Sequence, residues 1–203
     1  MQVSRRMMRH EIPADVARAM RAVPREQFMP RDLWPQAHQD KPLPIGHDQT
    51  ISQPSLVAFM TAQLALTPFS RVLEIGTGTG YQTAILAELA GEVFSIERIP
   101  ELSSAAKQRL AMLGYKNIAL RIDDGVHGWP EAVPFDAIIL TAAAPEIPHR
   151  LLAQLKIGGR LVAPEGESDE NQTLLLVEKA PTGDIRRFDL GAVRFVPLIS
   201  NEP

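Results

Sequence analysis

The sequence predicts an α/β fold: a doubly wound, mostly parallel sheet of about seven strands, with helices on both faces and an antiparallel closing strand. Three observations carry this prediction. Short apolar runs alternate with amphipathic helical patterns from residue 55 onward. One of these runs leads directly into three closely spaced glycines, and two late runs joined by PTGD have the pattern of an antiparallel pair.

Composition bounds the class of protein. Apolar residues make up 45% and charged residues 22% of the 203 residues, as in globular proteins, and this length buries one α/β domain but hardly two. The net charge of −3 gives no reason to expect a nucleic-acid partner, and the chain has no cysteine for disulfides, thiolate metal sites or nucleophiles. No apolar run reaches the length of a membrane span, and the basic start lacks the apolar segment of a secretory signal. We therefore expect a cytoplasmic protein without membrane or metal partners. A monomer is the working expectation, although the sequence does not determine the oligomeric state.

The N-terminal quarter predicts a small helical cap. Residues 13–23 have helical spacing, with Val16, Ala19, Met20 and Val23 on one face. Prolines follow at close intervals and predict a stiff, extended connection. We divide the single domain 1–203 into the cap and a loop, residues 1–54, and the α/β core, residues 55–203.

The loop at residues 40–54 reads DKPLPIGHDQTISQP, and helical spacing begins after it. Ser52 stands before Gln-Pro, where its hydroxyl can cap the helix. Local pattern favours this capping role over a functional one. A Ser52–His47–Asp48 triad is not expected, because adjacent residues on an extended loop point apart.

The glycines lie in residues 71–87, RVLEIGTGTGYQTAILA. A β-rich run, glycines at 76, 78 and 80, and a helical pattern form the strand–turn–helix unit that opens a Rossmann-like nucleotide-binding domain. Glycine lets a ligand lie against the backbone without meeting a Cβ atom. Tyr81 occupies the position where a dinucleotide fingerprint needs a small residue, which argues against NAD.

Two acids accompany the glycines. Glu74 precedes them at the end of the first core strand, where it can accept hydrogen bonds from loop amides or face a cationic ligand. Glu97 ends the next apolar run, 21 residues after Gly76, and is placed to bind both ribose hydroxyls. The pattern E-x-G-x-G-x-G with a later strand-end acid resembles the class I methyltransferases, which bind S-adenosylmethionine.

The remaining elements follow by pattern. We predict a helix over 100–113 stopped by Gly114, a strand over 117–122, a central strand over 137–141, a helix over 148–155, a Gly158-Gly159 turn, a strand over 160–163, and a closing pair over 173–178 and 189–196. Pattern does not indicate which of the last two strands forms the sheet edge.

Five stretches are similar to one methyltransferase family. They read PLPIG followed by QTISQP, PFDAIILTAAAPEIP, QLKIGGRLVAPEG and VRFVPL, and they resemble the protein-L-isoaspartate O-methyltransferases over about residues 23–198. The resemblance implies methyl transfer from S-adenosylmethionine to the free carboxylate of L-isoaspartyl residues in damaged polypeptides. The product ester then closes to a succinimide, whose hydrolysis returns some normal aspartate.

The resemblance also implies roles for individual residues. Ser52 would be the catalytic residue that orients the carboxylate. The implied cofactor contacts are Gln49, Thr50, Ser52, Glu74, Gly76, Gly78, Glu97, Asp124 and Gly125, and the implied substrate contacts are Ser52, Val193, Phe195 and Val196. The chain departs from the family pattern at His38, Asp48, Ser55, Asp123 and Glu165.

Two other functions stay open at this point. One is a methyltransferase of a small molecule or an RNA base that shares only the cofactor half. The other is a protein that binds altered peptides or the nucleoside without turnover.

Overall fold

The computed structural model describes residues 11–167 and 172–200. The helices are α1 (Ala14–Ala22), α2 (Pro54–Gln63), α3 (Tyr81–Ala87), α4 (Pro100–Met112) and α5 (His149–Gln154). The strands are β1 (Leu43–Gly46), β2 (Gln49–Ile51), β3 (Arg71–Ile75), β4 (Glu92–Glu97), β5 (Ile118–Ile122), β6 (Phe135–Leu140), β7 (Leu155–Glu165), β8 (Gln172–Lys179) and β9 (Ile185–Val193). Short 3-10 helices lie at Arg25–Phe28, Arg31–Gln36, Gly125–His127 and Pro130–Ala132.

Seven strands form one sheet in the order β5-β4-β3-β6-β7-β8-β9, which confirms the predicted fold class. The first five strands in this order, β5, β4, β3, β6 and β7, are parallel, and β8 is antiparallel to both of its neighbours. Of the last two strands, β9 therefore forms the sheet edge, and the reversed strand β8 lies next to it. The order changes direction between β3 and β6, the place where doubly wound sheets open a ligand crevice beyond the carboxyl ends of their strands.

The two central strands, β3 and β6, are mainly apolar on both faces because helices cover both. Val72 and Ile139 pack with α2 and α3, whereas Leu73 and Ile138 pack with α5 on the opposite face. All four side chains are fully buried. The continuous apolar runs in the sequence thus correspond to strands that lack a solvent face.

The N-terminal cap packs against α3. Val16 and Phe28 share a core cluster with Tyr81 and Ile85, and the rings of Phe28 and Tyr81 have their centroids 5.6 Å apart. The cap therefore buries the large side chain of Tyr81.

The predicted loop at 40–54 contains a β-hairpin that pattern did not reveal. Strand β1 pairs antiparallel with β2, and His47 and Asp48 form its turn with φ angles of 54° and 56°. Two successive positive φ angles are typical of tight hairpin turns, and Asp adopts them more readily than most side chains. Proline and glycine within β1 obscure the alternation that indicates a strand.

Two other boundaries differ from the prediction. Gly158 and Gly159 do not separate two elements but form an irregularity inside β7, where the register against β6 shifts. Strand β9 begins at Ile185 and ends at Val193, so residues 194–196 lie beyond the sheet.

The predicted helix stop at Gly114 is confirmed. This glycine has a φ of 86°, its N–H donates to the carbonyl of Ala111, and the N–H of Tyr115 donates to that of Leu110. These two bonds satisfy the last carbonyls of α4.

Within the described ranges, no helix is long and apolar enough to cross a bilayer. The same residues contain no group of three potential metal ligands.

Candidate active site

An open cleft lies where the strand order reverses, beyond the carboxyl ends of β3, β4 and β6. It encloses about 990 Å³, including space open to solvent. Seven parts of the chain line it: the hairpin and Ser52, the inner face of α2, the glycine loop and start of α3, the end of β4, Gly125 after β5, the residues after β6, and the segment after β9. The lining residues are Ile45, Gln49–Ser52, Val57, Met60, Ile75–Thr79, Tyr81, Gln82, Ile96–Ile99, Gly125, Thr141, Ala142 and Phe195–Ile199.

The glycine loop forms the floor of the cleft. Gly76 has a φ of 99°, and a Cβ atom added there would lie 2.3 Å from the Thr141 Oγ1 atom. The Thr141 hydroxyl lies 2.7 Å from the Gly76 carbonyl and 3.0 Å from that of Ile75, and it joins the end of β6 to the loop. Only glycine fits this position, and the loop backbone stays accessible to a ligand.

Glu97 is the acid that faces the cleft. It is 6% exposed, its Oε2 accepts a hydrogen bond from the Gly78 N–H (2.8 Å), and its Oε1 accepts one from the Ile99 N–H (3.0 Å). Each carboxylate oxygen keeps a second acceptor position. Glu97 thus holds the loop and can also accept hydrogen bonds from a bound diol.

Glu74, by contrast, does not line the cleft, so the structure does not bring its side chain to the predicted cofactor contact. Its Oε2 accepts hydrogen bonds from the hydroxyls of Thr83 (2.5 Å) and Ser95 (2.6 Å), not from loop amides, and it is fully buried. Burial raises the pKa of Glu74 to about 8; the two hydroxyl bonds lower it and the charge of Glu97 raises it. The Ser95 hydroxyl also bonds that of Thr77, which lines the cleft. Glu74 therefore supports the loop from beneath.

Two more of the implied cofactor contacts, Asp124 and Gly125, divide in the same way. Gly125 lines the cleft, and a Cβ atom there would lie 2.3 Å from the Ile75 Cγ2 atom. Asp124 is not among the residues that line it, so the structure does not place this side chain at the predicted contact. Its carboxylate caps the 3-10 helix at the Val126 N–H (3.1 Å) and accepts the Ser200 hydroxyl (2.9 Å).

Ser52 lies between β2 and α2 and lines the cleft with Gln49 and Thr50. It does not cap α2: the N-cap residue is Gln53, and Asp40 accepts the Ser55 N–H (2.8 Å) in the first turn. The capping interpretation is therefore wrong. Within the described part of the chain, the Ser52 hydroxyl makes no hydrogen bond and is available to a ligand, while the Ser52 carbonyl accepts one from Arg25.

The segment after β9 forms the opposite wall. Phe195 and Val196 line the cleft, whereas Val193 is 2% exposed, belongs to the core and is not brought to the cleft with them. Gln172, itself fully buried, accepts the Phe195 N–H (2.6 Å) and donates to the Phe195 carbonyl (3.3 Å). The Ala143 N–H donates to the Val196 carbonyl (2.8 Å), and the Ala143 carbonyl accepts the Leu198 N–H (2.6 Å). These bonds fix the backbone of this wall.

Glu165, one of the departures from the family pattern, supports the wall at residues 195–198 through residues 142–148. Glu165 accepts the Ile147 N–H (3.0 Å) and pairs with Arg187 (2.9 Å), so it holds residues 142–148 against β7. Of the other departures, Ser55 donates to Asp40 (2.7 Å). The structure gives no reason for His38.

Sequence reasoning missed several lining residues. They are Thr77 and Thr79 between the glycines, Arg98 and Ile99 after β4, Thr141 after β6, and the residues 197–199. Their position directly after core strands is a signal for most of them, since these strand ends meet at one edge of the sheet.

Comparisons with known proteins show the family to which the chain belongs. The sequence profile described as protein-L-isoaspartate(D-aspartate) O-methyltransferase matches residues 3–203. Protein-L-isoaspartate O-methyltransferase 1 of Syntrophobacter fumaroxidans is 56% identical, covering 91% of this chain and 85% of the relative. The enzyme of Gloeobacter violaceus is 46% identical, covering 93% and 91%.

A solved structure from Plasmodium falciparum has the same fold. It is provisionally assigned as a protein-L-isoaspartate O-methyltransferase in complex with S-adenosyl-L-homocysteine; its TM-score is 0.82 at 27% identity, covering 93% of this chain and 92% of that one. With the profile match over nearly the whole length, the chain belongs to the protein-L-isoaspartate(D-aspartate) O-methyltransferase family.

Proposed function

We propose that this protein methylates the free carboxylate of L-isoaspartyl residues in damaged proteins and peptides, with S-adenosylmethionine as the methyl donor. The ester then leads through a succinimide back to aspartate. The observation that carries the proposal is the Ser52 hydroxyl, which has no partner among the described residues and faces the same cleft as the glycine loop and Glu97.

The residues present fit this cofactor. The glycine loop offers backbone without Cβ atoms, and the fixed carboxylate of Glu97 suits two ribose hydroxyls. Gly125 lines the same cleft, as do Gln49 and Thr50 from the hairpin. When bound, S-adenosylmethionine supplies a methyl group already activated by its sulfonium.

The protein contributes placement rather than proton transfer. A carboxylate with a pKa near 4 is ionised about a thousandfold over its neutral form at pH 7, so it needs no general base. Consistently, Glu97 and Arg98 are the only charged residues among the described cleft residues, and no histidine lies there. Alignment of the reacting groups can contribute roughly 7–11 kcal/mol. Ser52 would donate a hydrogen bond that orients the carboxylate, and a neutral hydroxyl blunts its nucleophilicity less than Lys or Arg would.

Selectivity for isoaspartate over aspartate must come from the position of the peptide backbone, because the two differ by one methylene in the main chain. A pocket that senses only a methylene discriminates by about 1–3 kcal/mol. The wall at residues 195–198 has its backbone fixed by Gln172 and Ala143. A rigid wall opposite Ser52 can favour one placement of the substrate chain over the other.

The first experiment is methyl transfer from radiolabelled S-adenosylmethionine to one synthetic peptide in matched isoaspartyl and aspartyl forms. We expect base-labile label on the isoaspartyl form alone. Label on neither form, with cofactor binding intact by calorimetry, would refute the proposal and favour binding without turnover. Label on an RNA base or a small molecule instead would favour the other methyltransferase function.

Two variants separate the roles. Ser52→Ala removes a hydrogen bond to a charged group and should lower turnover by about 10- to 100-fold, with cofactor affinity nearly unchanged. Glu97→Ala should mainly weaken cofactor binding. Ser55→Ala is the matched control, since this serine lies three residues later, in the first turn of α2, and does not line the cleft. Unchanged turnover in Ser52→Ala would remove the orienting role.

Cytoplasmic location, a monomeric state and the absence of nucleic-acid partners stay predictions of the sequence.

A further inference from the structure

Arg25 is a buried charged residue outside the cleft, and its role is unexplained by the cofactor site. It begins the 3-10 helix after α1 and is 4% exposed. Burial lowers the pKa of its guanidinium, and the charge of nearby Asp40 raises it. A buried guanidinium needs partners for its donors, so the identity of these partners indicates what Arg25 does.

Among the described residues, the hydrogen-bond partners of Arg25 are all backbone carbonyls in the connection that leads to Ser52, and only its Nε lacks an acceptor. Its Nη1 donates to the carbonyls of Ala37 (2.8 Å) and Gln39 (3.4 Å), and its Nη2 donates to those of Lys41 (3.0 Å) and Ser52 (3.0 Å). The Nη2 atom therefore joins Lys41, just before the hairpin, to Ser52, just after it. This bond closes the base of the hairpin that covers the cleft.

We infer that Arg25 is a positioning residue for Ser52, an inference that rests on the proposed function. Because the Ser52 hydroxyl makes no bond within the described chain, its location depends on the Ser52 backbone. Arg25 bonds the Ser52 carbonyl, and Asp40 bonds the Ser55 N–H, so the backbone is held on both sides of the start of α2. The rigid fork of a guanidinium holds several carbonyls at once, whereas a lysine ammonium cannot span them in the same geometry.

A purely structural role for Arg25 in the cap makes a different prediction, and a double-mutant cycle separates the two. We expect Arg25→Lys to lower kcat/KM for an isoaspartyl peptide about tenfold in the wild-type background, because small misplacement of an orienting group is costly. In the Ser52→Ala background the same change should cost less than about twofold, since residues that act through one another are not additive. An equal loss in both backgrounds would overturn the inference.

Two control variants sharpen the cycle. Val16→Ala weakens the same cap from its apolar side, where Val16 is 4% exposed, and should leave kcat/KM unchanged well below the unfolding temperature. Arg109→Lys alters a second partly buried arginine, whose Nη1 donates to the Thr79 carbonyl (2.8 Å) in the glycine loop. Arg109→Lys should weaken cofactor binding, whereas Arg25→Lys should leave the cofactor Kd within about twofold. A loss in Val16→Ala equal to that in Arg25→Lys would also count against positioning.

A second measurement does not depend on activity. Hydrogen exchange of residues 49–57 should rise in Arg25→Lys and stay at the wild-type rate in Val16→Ala, because only the first change releases the Ser52 carbonyl. If Arg25→Lys fails to fold, Arg25→Gln, which keeps an amide donor, takes its place. If the wild type does not methylate isoaspartyl peptides, the proposed function fails and exchange alone decides the inference. Unchanged exchange at residues 49–57 would then overturn it.

Discussion

The buried carboxyl of Glu74 predicts a measurable pH dependence of stability. Its pKa is about 8 in the folded protein, against 4.5 for the free group, mainly because burial disfavours the charge. Within residues 11–167 and 172–200, its Oε1 has no hydrogen-bond partner, and its Oε2 accepts hydrogen bonds only from the neutral hydroxyls of Thr83 and Ser95. Among the described residues no cation offsets the charge, so the folded protein keeps the proton at neutral pH.

The sign follows from proton counting. Between pH 4.5 and 8 the unfolded chain has lost this proton and the folded protein has kept it. The free energy of unfolding therefore falls as pH rises through this window, and the contribution is fully present only below the lower pKa. At about 1.4 kcal/mol per pH unit, the loss between pH 5.5 and 7.5 is about 2–3 kcal/mol.

Glu74→Gln should remove this slope, because an amide does not titrate. The assay is denaturant unfolding of both proteins at several pH values across the window. Absolute stability is not the readout, since the amide N–H₂ would lack an acceptor at the place of Oε1, at a cost of about 1–3 kcal/mol. Glu101→Gln, which removes an exposed carboxyl on α4, is the control and should retain the wild-type slope. Parallel pH curves for wild type and Glu74→Gln would refute the reasoning.

Three further changes test the backbone around the cleft. Gly76→Ala places a Cβ atom 2.3 Å from the Thr141 Oγ1 atom at a positive φ. We expect the free energy of unfolding to fall by about 2–4 kcal/mol and cofactor binding by calorimetry to weaken. A free energy of unfolding within about 0.5 kcal/mol of wild type would contradict this. Asp40→Ala removes the acceptor for the Ser55 N–H and should lower the free energy of unfolding by about 1 kcal/mol, with Asp40→Asn much closer to wild type. Asp48→Gly relieves the backbone strain of a φ of 56° at the hairpin turn and should raise the free energy of unfolding by about 0.5 kcal/mol. A lower Tm in thermal unfolding would show instead that the Asp side chain stabilises the turn.

Most of the α/β elements could be predicted because their signals are local. The apolar runs of β3 and β6, and the helical period and glycine stop of α4, depend on neighbours within a few residues. The hairpin at residues 43–51 was missed because its strands carry proline and glycine, and its pairing depends on register rather than on period.

The candidate site was predictable only in part, and Glu97 and Glu74 show why. Glu74 precedes the glycine loop in the sequence, and Glu97 follows it at the end of the next strand. Glu97 accepts the Gly78 N–H at the cleft. Glu74 is instead buried and accepts the hydroxyls of Thr83 and Ser95. The sequence does not show which face of β3 is covered by hydroxyls from another strand and helix. Asp124 likewise faces Ser200, 76 residues later in the chain.

By itself, the sequence determined the order of elements, the glycine loop and the family, because backbone φ, side-chain period and motif spacing are properties of short segments. Only the tertiary structure decided which polar groups face the cleft and which are buried beneath it. It also placed Ser52 through Arg25, 27 residues earlier in the chain. The physical reason is that burial and hydrogen-bond satisfaction depend on groups brought together from distant segments, and these determine whether a carboxyl keeps its charge or a hydroxyl stays free for a ligand.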